Sequence, residues 1–187
     1  MAKIQYTHDI TSSEQFVQGS SGRLNVSSRG DSRSYYNSRD DQLAFSLVWS
    51  DASTATSDFI VYWKNTDTTG KHLVIDSAGI NSQYRADFQL HAVTGTAAGG
   101  SVATPACLNR AAPKVAQATC RSAVSSAITG LSSVVIIDHA TVPAGGHEEF
   151  RLDDRLRIGQ DQALAIQCVL TDTSPGLTHG VIFGFYE

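Results

Sequence analysis

The chain has 187 residues, 41% hydrophobic and 17% charged, with a formal net charge of −4 at pH 7. That length suits one domain with one core, and a weakly acidic balance with scattered basic residues gives no electrostatic footprint for a phosphate backbone, which sets nucleic acid aside as a partner. No apolar run reaches the roughly 18 residues that a membrane-spanning helix needs, and no basic segment followed by an apolar one opens the chain, so the expectation is a soluble product of the cytoplasm with no membrane partner.

Residues 1–40 run through Ser12-Ser13, Gly19-Ser20-Ser21-Gly22, Ser27-Ser28-Arg29-Gly30-Asp31-Ser32 and Asn37-Ser38-Arg39-Asp40-Asp41 with few large apolar groups. Such a stretch cannot offset the entropy of ordering itself. It reads as an extended N-terminal arm, residues 1–40, that becomes ordered on a neighbouring chain, followed by a body at 41–187. Phe16, Val17, Leu24, Tyr35 and Tyr36 are the candidate partner-binding anchors, and Arg23 and Arg29 would meet carboxylates on the same surface. Arg29-Gly30-Asp31 is read as a turn.

From Leu43 the pattern turns to strands. Leu43, Phe45, Leu47 and Trp49 alternate with smaller residues, and Phe59 to Trp63 is a continuous apolar run. Thr66-Asp67-Thr68-Thr69-Gly70 has turn composition, and Leu73-Val74-Ile75 beyond it suggests a hairpin. Tyr84, Ala86, Phe88, Leu90 and Ala92 fall on one side of a period-2 pattern. Arg85, Asp87, Gln89 and His91 fall on the other, which implies one core face and one wet face. Residues 95–101 form a Gly/Ala loop, and 111–129 have a period ambiguous between helix and strand. Leu131 to Ile137 is a β-branched strand, Pro143-Ala144-Gly145-Gly146 turns the chain, and Leu164, Ile166, Cys168 and Leu170 alternate again. Val181 to Tyr186 is apolar enough to lie inside a sheet. Eight or so strands without an amphipathic helix predict an all-β fold, an antiparallel jelly-roll-like β-sandwich.

Chemistry-bearing groups do not converge in the sequence. The six histidines show no i, i+2 or i, i+4 spacing, so no metal site is expected. His147-Glu148-Glu149 lacks the second histidine of a zincin and follows a turn rather than opening a helix. Glu148-Glu149 and Asp153-Asp154 are strand neighbours that point to opposite faces and cannot share a proton. No nucleophile elbow or phosphate-binding glycine loop is present, and catalytic residues and cofactors are both expected to be none. Cys107, Cys120 and Cys168 are read as buried free thiols, with a bridge between Cys107 and Cys120 as the alternative. Trp49, Trp63, Tyr62 and Tyr84 sit in strand patterns where core packing is the commoner fate than a sugar-binding platform.

From Gly95 the segments follow a recognisable order: Pro105-Ala106-Cys107-Leu108-Asn109-Arg110, Ala116-Gln117-Ala118-Thr119, Val142-Pro143-Ala144-Gly145-Gly146, Arg157-Ile158-Gly159-Gln160-Asp161-Gln162-Ala163-Leu164-Ala165-Ile166, and the closing Gly180-Val181-Ile182-Phe183-Gly184-Phe185-Tyr186-Glu187. Over about half the chain this resembles small β-sandwich virion proteins of tailed bacteriophages, the capsid decoration or cement class. Arg110-Ala111-Ala112-Pro113 and Gly159-Gln160 depart from that pattern. The resemblance implies a structural, non-enzymatic virion protein on the capsid surface, made in the host cytoplasm. Its implied partners are the major capsid protein and itself, as a homotrimer with a dimer as the alternative. A receptor-binding or carbohydrate-binding module of a head fibre or tail is the alternative function.

Overall fold

The structure, a computed structural model, describes residues 42–187 except 54–57, 112, 124–126 and 171–175, together with Ser38 and four short strands between residues 4 and 24. It divides into two units, Met1–Asp31 and Ser32–Glu187. In the first, β1 (Ile4–Thr7) pairs antiparallel with β2 (Glu14–Val17), and β3 (Gly19–Ser20) pairs antiparallel with β4 (Arg23–Leu24).

Among its described residues the second unit has eleven strands: β5 (Ala44–Ser53), β6 (Asp58–Asn65), β7 (Leu73–Ser82), β8 (Ala86–Ala98), β9 (Ser101–Ala103), β10 (Ala106–Cys107), β11 (Ala118–Ser122), β12 (Thr129–Val142), β13 (His147–Ile158), β14 (Ala163–Leu170) and β15 (Gly176–Tyr186). They form a five-stranded sheet, β10-β5-β15-β7-β13, and a six-stranded sheet, β12-β8-β14-β6-β11-β9, antiparallel throughout. Without β9, β10 and β11, the chain visits one sheet as first, eighth, third and sixth strand and the other as fifth, fourth, seventh and second. That is the order of a jelly roll. The excursion 99–128 supplies the three remaining strands. It extends the six-stranded sheet beyond β6 and the five-stranded sheet beyond β5.

Alternation places the core between the sheets. Phe45, Leu47 and Trp49 of β5, Ala86, Phe88 and Leu90 of β8, and Leu164, Ile166 and Cys168 of β14 are buried in one cluster with Trp63, Ile182 and Tyr186. Phe45 and Tyr186 meet edge to face at 5.8 Å between ring centroids, an arrangement that aligns the positive ring edge with the negative face. The apolar β15 lies inside its sheet, between β5 and β7, where both rows of backbone groups find partners.

Three expectations are corrected and one left open is resolved. Residues 95–98 are not loop but the end of β8, held by pairing with the start of β12. The turn at Thr66 to Gly70 is not a hairpin, because β6 and β7 belong to different sheets and the segment arches across the sandwich. Its anchor is Asn65, fully buried, whose side-chain amide donates to the carbonyls of Lys71 and Ile158 at 2.9 Å each. Residues 111–129 contribute strand β11 and an isolated bridge from Ile128 to Phe59, with no α-helix among the described residues. His91 is not on a wet face: it is only 3% exposed. Cys107, Cys120 and Cys168 are free and buried, so the Cys107 to Cys120 bridge does not form.

Candidate interaction surface

The sheets end in four edge strands, and sequence determines how each meets solvent. β9 and β10 are three and two residues long, too short to template another strand. β13 loses register with β7 between Arg151 and Leu156, carries Asp153 at φ 46°, and is charged along its length, with Arg151 paired to Glu149 at 2.7 Å and Arg155 to Asp153 at 3.7 Å. Charge along an edge discourages pairing with another strand. β12 differs. It is 14 residues long, has no ionisable side chain from Thr129 to Ile137, and exposes Val134, Val135 and Ile136 at 64%, 53% and 51%.

The ladder from β12 to β8 steps from Ser133↔Val93 to Val135↔Ala92 and from Ile136↔His91 to Asp138↔Leu90, leaving Val134 and Ile137 as extra residues. Such bulges re-aim side chains. Val134 and Ile137 line a groove of about 370 Å³ together with Val93, Leu156, Ile158 and Ala163. Its exposed charges, Arg157 and Asp161, are both held in ion pairs, Arg157 with Glu187 at 2.5 Å and Asp161 with Lys64 at 2.9 Å. The groove therefore offers apolar surface with a locally neutral border, suited to apolar side chains rather than to an ion.

Behind it, the outer face of the six-stranded sheet carries its own small core, Tyr62, Val93, Ile128, Ala163 and Ala165, packed by Phe59, Ala97 and Leu131. The far ends of β8 and β12 bend at Gly95 (φ 105°) and Gly130 (φ 77°), a left-handed pair in which a Cβ on either would strike the other segment's backbone. His91 lies on this face. Its Nδ1 is 2.7 Å from Ser133 Oγ, and its ring stands edge to face on Phe59 at 5.5 Å. Burial pulls its pKa below the ordinary histidine value against an opposing hydrogen bond to Gln167. Burial likewise raises the Tyr62 phenol.

Elsewhere, a depression of about 390 Å³ is lined by Asn81, Ser82, Gln83, Gly146, Leu177 and His179. Asp51, only 6% exposed, has its carboxyl pushed up to about 6 by burial and by the negative charge of Asp58. Burial drives Cys168 up to about 12 and Cys120 higher still, which leaves both as unreactive thiols. Among the described residues no group of three His, Cys, Asp or Glu is placed to hold a metal ion. Among the same residues no helix is long and apolar enough to cross a membrane.

Of the residues that sequence singles out for partner contact, Phe16 and Val17 lie on β2, across from Gln5 and Ile4, and Arg23 and Leu24 lie on β4. Arg29, Tyr35 and Tyr36 lie outside the described residues. Trp49, Trp63 and Tyr62 are buried, in line with the core reading, so they form no exposed sugar platform. Sequence reasoning missed the β12 edge and its groove. The available signal was Val134-Val135-Ile136-Ile137, an apolar run without alternation, which reads equally as a fully buried strand.

Comparison with family models, with curated proteins and with solved structures finds no match to this chain.

Proposed function

We propose that this chain is a structural virion protein, a capsid decoration or cement protein that docks on the outside of a phage head and braces the shell of major capsid protein. The observation that carries the reading is a jelly-roll body with one long, uncharged, exposed strand edge at Val134 to Ile136. An open edge of that kind invites pairing with another chain, and a lattice of repeated weak contacts is where such an edge serves a structural purpose. The sequence order from Gly95 to Glu187, which resembles the decoration class, supports the same role, as does an N-terminal segment poor in large apolar groups. Neither feature calls for a catalytic centre or a cofactor.

The test is reconstitution. Purified protein is titrated onto undecorated shells, and the shells are pelleted and then heated. The reading expects saturable binding with a fixed number of copies per shell and a higher shell-disruption temperature. Protein that stays in the supernatant at every concentration overturns it.

A further inference from the structure

We infer that the β12 edge joins to the β12 edge of a second copy, antiparallel about a two-fold axis near Val135, with the neighbouring groove receiving the partner's exposed apolar side chains. This goes beyond the proposed function: it names a surface and a two-fold symmetry for self-association, giving the dimer in place of the homotrimer that the resemblance implies, and it needs no shell.

The occupant follows from what the edge displays. An isologous contact requires a surface that complements itself. This edge carries both halves of such a contact, an exposed ridge at Val135 and Ile136 and an apolar groove lined by Val134, Ile137, Leu156 and Ile158. Charge points the same way. From Thr129 to Ile137 there is no ionisable group, so an uncharged strand segment is the fitting partner, and the same segment of a second copy is one. Antiparallel pairing centred on Val135 sets Ile136 across from the partner's Val134 and Asp138 across from Ser132. Parallel pairing would set Asp138 beside Asp138, an unfavourable like-charge contact. The groove's Arg157 and Asp161 have opposite signs, so a two-fold apposition brings no net charge to the seam. β13, the other long edge, carries charge along its length, which a second copy would have to bury or repel.

Sedimentation and site-directed cross-linking on the full chain decide the matter. The wild-type protein at about 100 micromolar is expected at about 40 kDa, twice its 20.0 kDa. Val135→Cys should give a disulfide-linked dimer under mild oxidant, while Val102→Cys, exposed at 78% on β9, should give none. Val135→Lys should sediment as a monomer with an unchanged β-sheet circular dichroism spectrum. Val135→Thr, a smaller change, keeps the test alive should the lysine variant misfold, and it should weaken association at least tenfold. A wild-type monomer, cross-linking through residue 102 in place of 135, or a Val135→Lys variant that still dimerises would each overturn the inference. Shell binding by these proteins is read separately: a dimer that ignores shells sinks the virion role and leaves the edge contact standing, whereas a wild-type monomer that binds shells does the reverse.

Discussion

Asn65 shows how much one polar side chain can organise. Besides its two donated bonds, its Oδ1 accepts the backbone N–H of Asp67 at 2.9 Å, and Asp67 in turn accepts from Thr69 N and Thr69 Oγ1 at 2.7 Å each and from Lys71 N at 3.2 Å. Burial alone would raise the Asp67 carboxyl, but these donors outweigh it and hold the pKa below the usual aspartate value. Asn65→Ala strands three backbone groups, two of them buried, and should cost about 2–4 kcal/mol, read as a lower urea midpoint. Asp51 behaves in the opposite sense. Its folded pKa, about 6, lies above the ordinary 3.8, so the native state binds that proton more tightly than the unfolded chain. Its contribution to stability is complete below about pH 4 and is lost as pH rises through 6. Asp51→Asn should therefore stabilise the protein at pH 7 by about 1–2 kcal/mol after allowance for solvent screening, and should flatten the stability profile between pH 4 and 6. A variant whose profile matches the wild type would contradict this. Neither residue stands out in the sequence, because an Asn before a turn and an Asp at a strand end look the same whether exposed or buried.

Alternation carries the elements that face the core. Phe45, Leu47 and Trp49, or Ala86, Phe88 and Leu90, identify themselves because one row of each strand is apolar and the other is not. Alternation fails where a second layer covers the outer row. His91 sits in a polar row, yet the outer cluster around Tyr62 and Phe59 encloses it. The arch from β6 to β7 escapes the sequence for another reason, since turn residues mark a change of direction and not which sheet the next strand joins. Both elements depend on long-range packing that a short window does not contain. The Gly95 and Gly130 pair offers a direct test of the folded-over end of β8 and β12. Gly95→Ala forces a left-handed φ on a residue with a Cβ and drives that Cβ into the Gly130 carbonyl oxygen. A loss of about 3 kcal/mol in chemical denaturation is expected, together with faster hydrogen exchange at Tyr62 and Phe59. Unchanged exchange there would show that the bend does not hold the outer cluster.

At the scale of the whole molecule, the jelly-roll body and the unit Met1–Asp31 are separate compact units. Removal of residues 1–31 should leave the body's melting temperature within about 2 °C of the full chain. A large fall would make the first unit part of the body's core. Free cysteines at 107, 120 and 168 predict melting curves that superimpose with and without reductant, since no covalent link restrains the unfolded chain. The two units and the open β12 edge together suit a protein that works by being held in an assembly. The most direct test of that claim is cryo-electron microscopy of shells after incubation with this protein. Ordered sandwich-shaped density at fixed positions on the outer shell surface, absent from untreated shells, is the expected result, and bare shells at saturating protein would contradict the virion role.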